Sequence, residues 1–157
     1  MPHDVPTRDD YVTWRTATTR WRDDDAYGHL NNATYYELFD TAVNAHLYEA
    51  TGEDVRALPQ IGVVAETGCR YFREIGFPEP IEMGLVVDKV GTSSLVYRIG
   101  LFQGGSDEAA AEGRFVHVYV DNSGGAGDRP VTPIPDVIRA AVVPLLRPES
   151  GEAREET

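Results

Sequence analysis

One cysteine and one lysine are all that 157 residues supply of either kind. With Cys69 alone, no disulfide can close within the chain and no cage of thiolates can hold a metal, which agrees with a reducing compartment. A single cysteine of this sort is expected to be a small, buried, apolar side chain. Long apolar runs are missing as well. No stretch approaches the roughly 20 apolar residues that a membrane-spanning helix needs, so no membrane partner is expected. The opening "MPHDVPTRDD" lacks the charged-then-apolar build of an export signal, which makes a cytoplasmic location the expectation. Positive charge is scarce: Lys89 and the arginines total 14 against 26 acids, a formal net charge of −12. Such a surface repels phosphate backbones, and no Lys/Arg cluster offsets it, so nucleic acid is not an expected partner.

What is present suffices for a core. With 41% hydrophobic and 10% aromatic residues, the chain suits one globular domain, typically about 100 to 150 residues. Its span is read as 11–146, after an N-terminal extension at 1–10 and before a flexible acidic tail at 147–157. "YVTWRTATTRW" (11–21) reads as a first strand. "NNATYYELFDTAVNAHLYEA" (31–50) repeats apolar residues at the spacing of one helix face, and Gly52 follows where a left-handed cap is cheap. Period two takes over at "IGVVAETGCRYFREI", placing Ile61, Val63, Ala65, Thr67, Cys69 and Tyr71 on one face. Three further strands follow in "IEMGLVVDKV", "SSLVYRIGLFQ" and "EGRFVHVYVD", and "PIPDVIRAAVVPLL" allows a short closing helix. One strand, one long helix and four strands describe an α+β domain whose helix lies against a five-stranded antiparallel sheet. Its edges and incompletely covered apolar surface predict self-association.

The densest feature is "DDDAYGHLNN", residues 23–32, directly ahead of the helix. Three readings compete. Asp23, Asp24 and Asp25 can be acids that balance a helix dipole. A calcium loop matches at Asp23, Asp25 and Gly28, but Tyr27 and Thr34 stand where ligands are required. The third reading is catalytic: a carboxylate ahead of a helix start faces free backbone N–H groups, so a carbonyl between them meets an oxyanion site on one side and a nucleophile or base on the other. That suits hydrolysis of an activated acyl group such as a thioester.

"RWRDDDAYGHLNNATYYELFD" (20–40) resembles the acyl-CoA thioesterases of the hotdog-fold superfamily, in the 4-hydroxybenzoyl-CoA thioesterase-like branch. The matching pattern is Asp-x-Asp-x-x-Gly-His-x-Asn-Asn, met here by Asp23, Asp25, Gly28, His29, Asn31 and Asn32. The likeness continues through "CRYFREI", the Gly-Thr-Ser-Ser turn at 91–94 and "EGRFVHVYVD". It implies a hotdog fold, a sheet wrapped around one long central helix, in a homodimer or homotetramer with the active site at a subunit boundary. It also implies an acyl-CoA substrate, no metal and no cofactor. Asp25 becomes the catalytic carboxylate, and the N–H of Asn32 polarises the thioester carbonyl.

Tyr27, Gly28, His29, Asn31, Arg73 and Ser94 are the candidates for substrate contact. Each has a plainer role open to it: backbone geometry for Gly28, packing for His29, an N-cap for Asn31, and core packing for the neighbouring Tyr35 and Phe39. Asp23 and Asp24 are expected as solvated or strand-end acids. Glu37, on the helix, rivals Asp25 as the catalytic acid. For the coenzyme phosphates the candidates are Arg70, Arg73, Lys89, Arg98 and Arg114, with Arg70 or Arg73 expected in an ion pair. A hydratase or dehydratase using His29, and a non-catalytic acyl-CoA-binding module, are the alternative functions.

Overall fold

The computed structural model describes residues 4–124 and 127–147; the tail expected at 147–157 lies outside them beyond Arg147. The long helix α1 runs Asn32–Thr51, and both its ends are set by local chemistry. The Asn31 side chain accepts the N–H of Ala33 at 3.0 Å, the ordinary work of an N-cap. Gly52, at φ +68°, closes the other end with its N–H on the carbonyl of Tyr48, a backbone turn that a side chain would resist.

The strands are β1 (Thr13–Ala17), β2 (Gln60–Tyr71), β3 (Ile81–Val90), β4 (Ser94–Phe102) and β5 (Ala111–Asp121), followed by a short helix α2 (Asp136–Val142). All pair antiparallel, in the order β1-β3-β4-β5-β2. Alternation along β3, β4 and β5 sends Met83, Leu85, Tyr97, Ile99 and Phe115 into one core with Phe39, Val43 and Leu47 of α1 and Ile138 of α2. Gly113 has no side chain because α1 lies there: a Cβ would sit 2.6 Å from the Phe39 ring.

The other face of the sheet is covered by the chain before β1. Tyr11 lies flat over Gly84 and Gly100, where any Cβ would strike its ring, and joins a second cluster with Val86, Phe102 and Ala109. Its hydroxyl donates to Glu112 at 2.5 Å; Glu112 in turn meets Arg98, which also binds Asp88. Residues 6–8 are tied by backbone hydrogen bonds to Asp107 and Ala109, so this part of the N-terminal extension packs on the domain.

Two sequence expectations change. The first strand is shorter than 11–21, because Trp21–Asp23 form a 3-10 turn in which the Asp23 carboxylate accepts from the backbone and guanidinium of Arg20. In β2 the pairing with β5 shifts between Val64 and Glu66. A bulge of that kind interrupts the alternation. Gly62 therefore shares the helix-facing side with Thr67, Cys69 and Tyr71, while Ile61 and Val63 do not, since Gly62 opposes Tyr119 and Cys69 opposes Gly113.

Candidate active site

The acidic loop is a closed turn pinned to its surroundings. Asp24 and Leu30 form an antiparallel bridge, Asp25 N–H donates to the carbonyl of His29 at 2.8 Å, and Gly28 N–H donates to that of Asp25 at 3.1 Å. Gly28 closes the turn at φ +82°, a region in which other residues are strained. Leu30 anchors the loop outward through its N–H on the carbonyl of Ile75.

The three acids separate. Asp23 is only 7% exposed, not solvated. Despite burial, which opposes its charge, contact with Arg20 holds its carboxyl below the usual range. Asp24 accepts the N–H of Phe77 at 3.1 Å, beside a Gly76 that leaves it room. Asp25 turns back on its own loop: Oδ1 accepts the N–H of Tyr27 at 2.8 Å and that of His29 at 3.3 Å. Both contacts use the same oxygen, so Oδ2 stays available. With the acids pointing apart, a calcium-type cage has no geometry here, and among the described residues no three His, Cys, Asp or Glu side chains gather as a metal site.

At the helix start, Asn31 N–H donates to the carbonyl of Asp23, Ala33 N–H to the Asn31 side chain and Thr34 N–H to the carbonyl of Asn31. The N–H of Asn32, between them, meets no acceptor among the described residues. Free N–H groups of this kind attract an oxyanion. The Asn32 side chain is engaged differently, accepting from the hydroxyl of Tyr71. Sequence reading gave Tyr71 no role at the site; its place at the end of β2, beside Tyr35, becomes visible only when strand and helix are packed together.

The remaining candidates divide. His29 orients Asp25 through its backbone, whereas its imidazole faces Glu74 at 2.9 Å, with the two side chains 46% and 73% exposed. Tyr27 is 85% exposed, and Tyr35 and Phe39 are core. Arg73 lies near the loop and donates to the carbonyl of Gln103 at 2.7 Å. Among the described residues neither it nor Arg70, which stacks over Phe72, forms the expected ion pair; Arg98 and Arg114 do, with Asp88 and Glu66. Ser94 pairs with Val118, seven positions along β4 from the Leu101–Ala111 pair near the loop, a separation of roughly 23 Å at about 3.3 Å per residue. Glu37 is exposed on α1. Cys69 packs against the core, and burial pushes its thiol up to about 11, which leaves it unreactive.

A family model described as the thioesterase-like superfamily matches residues 19–142. Among solved structures, the PA5185 protein from Pseudomonas aeruginosa strain PAO1 is 42% identical over 94% of this chain and 100% of that chain, with a TM-score of 0.84. The PA2801 protein from Pseudomonas aeruginosa is 30% identical over 82% of this chain and 95% of that one, at a TM-score of 0.72. A thioesterase from Thermus thermophilus, complexed with coenzyme A and Zn, is 24% identical over 90% and 99% of the two chains at a TM-score of 0.73, a likeness of fold. No match was found among curated proteins.

Proposed function

The chain belongs to the thioesterase-like superfamily, and on that footing we propose that it hydrolyses acyl-CoA thioesters with Asp25 as the catalytic carboxylate. One observation carries this reading: a carboxylate with Oδ1 held by two backbone N–H groups, in a loop that closes onto the unpaired N–H at the start of α1. The free Oδ2 attacks the thioester carbonyl carbon or takes the proton of a water that does so. Charge then develops on the carbonyl oxygen, where the Asn32 N–H receives it. The carbon–sulfur bond breaks and the thiolate of coenzyme A takes a proton. Where water added directly the acyl group leaves as a carboxylic acid; where Oδ2 added a second step follows, in which water cleaves the acyl–Asp25 anhydride to the acid and restores the carboxylate.

Around Asp25 a single chain offers an open surface. Tyr27 is 85% exposed, and Gly28 and Asn32 lie at the surface beside the half-buried Asp25. An open site favours completion by a second subunit, and we take the active form to be a homodimer or homotetramer, to be checked by light scattering. Gly28 and Asn31 then act by shaping the loop and the helix start, while Tyr27 and His29 border the substrate. Arg73, on the segment that meets the loop through Glu74 and Ile75, is the candidate guanidinium for the coenzyme phosphates. Ser94 belongs to such a site only as a residue supplied by another subunit.

A panel of acyl-CoAs with a thiol-detecting dye tests the activity, and full turnover by Asp25→Asn would remove that residue from it. The His29–Glu74 pair supports one second reading, hydration of an enoyl thioester. Its exposure weighs against it, because a solvated pair is only weakly coupled. Loss of enoyl absorbance from crotonyl-CoA without thiol release would favour the hydratase.

A further inference from the structure

Between the C-terminal half of α1, the start of β2 and the end of β5 lies a cavity of about 160 Å³, with Leu47, Leu58 and Ile138 among its walls. It is separate from the acidic loop within one chain. Leu47 stands roughly 22 Å along α1 from Asn32 at about 1.5 Å per residue. A void of about 150 Å³ lined by apolar side chains is large enough to hold a benzene-sized molecule.

The floor is built around a missing side chain. A Cβ at Gly62 would sit 3.2 Å from the Tyr119 hydroxyl and 3.3 Å from His117 Nδ1, so both side chains pack on bare backbone and their polar atoms lie close together at one side of a mainly apolar space that both residues line. Neither has a protein hydrogen-bond partner among the described residues, and the other imidazole nitrogen, Nε2, is buried without one. Burial also holds the His117 pKa down at about 4, so the imidazole is uncharged at neutral pH. The one cation at the rim, Arg56, is already occupied by Asp54.

We propose that this cavity is a binding site for one compact, neutral, mainly apolar molecule bearing a single hydroxyl or carbonyl, a phenol-sized ring or a short acyl group, with its polar atom at the Tyr119 hydroxyl or His117 Nδ1. The ring or chain fills the space between Leu47 and Ile138. An anion is disfavoured, because no free positive charge among the described residues faces the space. The site does not depend on the thioesterase reading.

Titration of phenol and toluene into the full-length protein, followed by amide and imidazole chemical shifts, tests it. Saturable shifts in the millimolar range are expected at Leu47, Gly62, His117 and Tyr119, with phenol binding about threefold to tenfold more tightly than toluene, the range of one added hydrogen bond. Gly62→Val pushes Tyr119 and His117 into the cavity, and Leu58→Trp, at a half-buried position on its wall, blocks it from the rim. Each should abolish saturation while the spectrum keeps native dispersion. Should Gly62→Val not fold, Leu58→Trp decides. Asp25→Asn should leave phenol affinity unchanged. The proposal is overturned by an absence of saturable shifts, by shifts centred on residues 23–32, by equal affinity for the two probes, or by binding that survives Leu58→Trp.

Discussion

Asn in place of Asp25 separates chemistry from architecture. The amide oxygen of Asn can still accept the N–H groups of Tyr27 and His29 that now reach Oδ1, so the loop should keep its shape while losing a charge and a proton acceptor. Removal of a positioned base or nucleophile costs about 10²- to 10⁴-fold in rate, or roughly 3 to 5 kcal/mol of barrier at about 1.4 kcal/mol per decade. Asp25→Ala should be equally inactive but less stable. It leaves two N–H groups without their acceptor on a half-exposed loop, worth about 1–2 kcal/mol in total and a Tm lower by roughly 2–8 °C. Thiol release from acyl-CoA, read beside calorimetry of both variants, distinguishes the two effects. An Asn variant within threefold of wild-type turnover would refute the assignment. So would loss of turnover in Glu37→Gln, which is expected to be silent because Glu37 is exposed on the helix surface.

Three further outcomes concern the scaffold. His117 titrates near 6.5 when unfolded but near 4 in the fold, so its contribution is complete above about pH 6.5 and is lost as pH falls toward 4. The gap amounts to about 3 kcal/mol; denaturant unfolding at pH 7.5 and 4.5 should therefore show a smaller acid loss in His117→Phe, and equal losses would contradict the buried, neutral imidazole. Gly113→Ala should destabilise by about 1–3 kcal/mol, since its Cβ meets the fully buried Phe39 ring at 2.6 Å; unchanged thermal stability would mean that helix and sheet are less tightly apposed. Tyr11→Phe removes the donor to buried Glu112 and should cost about 1–3 kcal/mol in chemical denaturation, whereas a change below about 0.5 kcal/mol would show that the hydroxyl contributes little to holding the N-terminal segment on the sheet.

The candidate site was legible where neighbours in the chain decide the geometry. Asn31 ahead of an amphipathic run and Gly52 behind it bounded α1 to within a residue, because capping and left-handed turns act over a few positions. Gly28 marked a turn for the same reason. The fates of the three aspartates were not legible. Asp24 finds its partner at Phe77, far along the chain, and Asp23 is buried by a turn that cuts β1 short. Equal acids in a row carry no sign of which will meet which N–H.

From sequence alone came the α+β class, the helix and its caps, all four of the long strands, and a carboxylate-rich loop at a helix start. Folding decided the rest: the placement of β2 beside β5 at the sheet edge, the bulge that exchanges its faces, Tyr71 beside Asn32, Tyr11 over Gly100, and the space between Gly62 and Ile138. The physical reason is range. Periodicity, turns and caps reflect interactions between residues a few positions apart, which any window of sequence contains. Strand order and cavity shape depend on which distant surfaces exclude water together, and that is settled only when the whole chain packs.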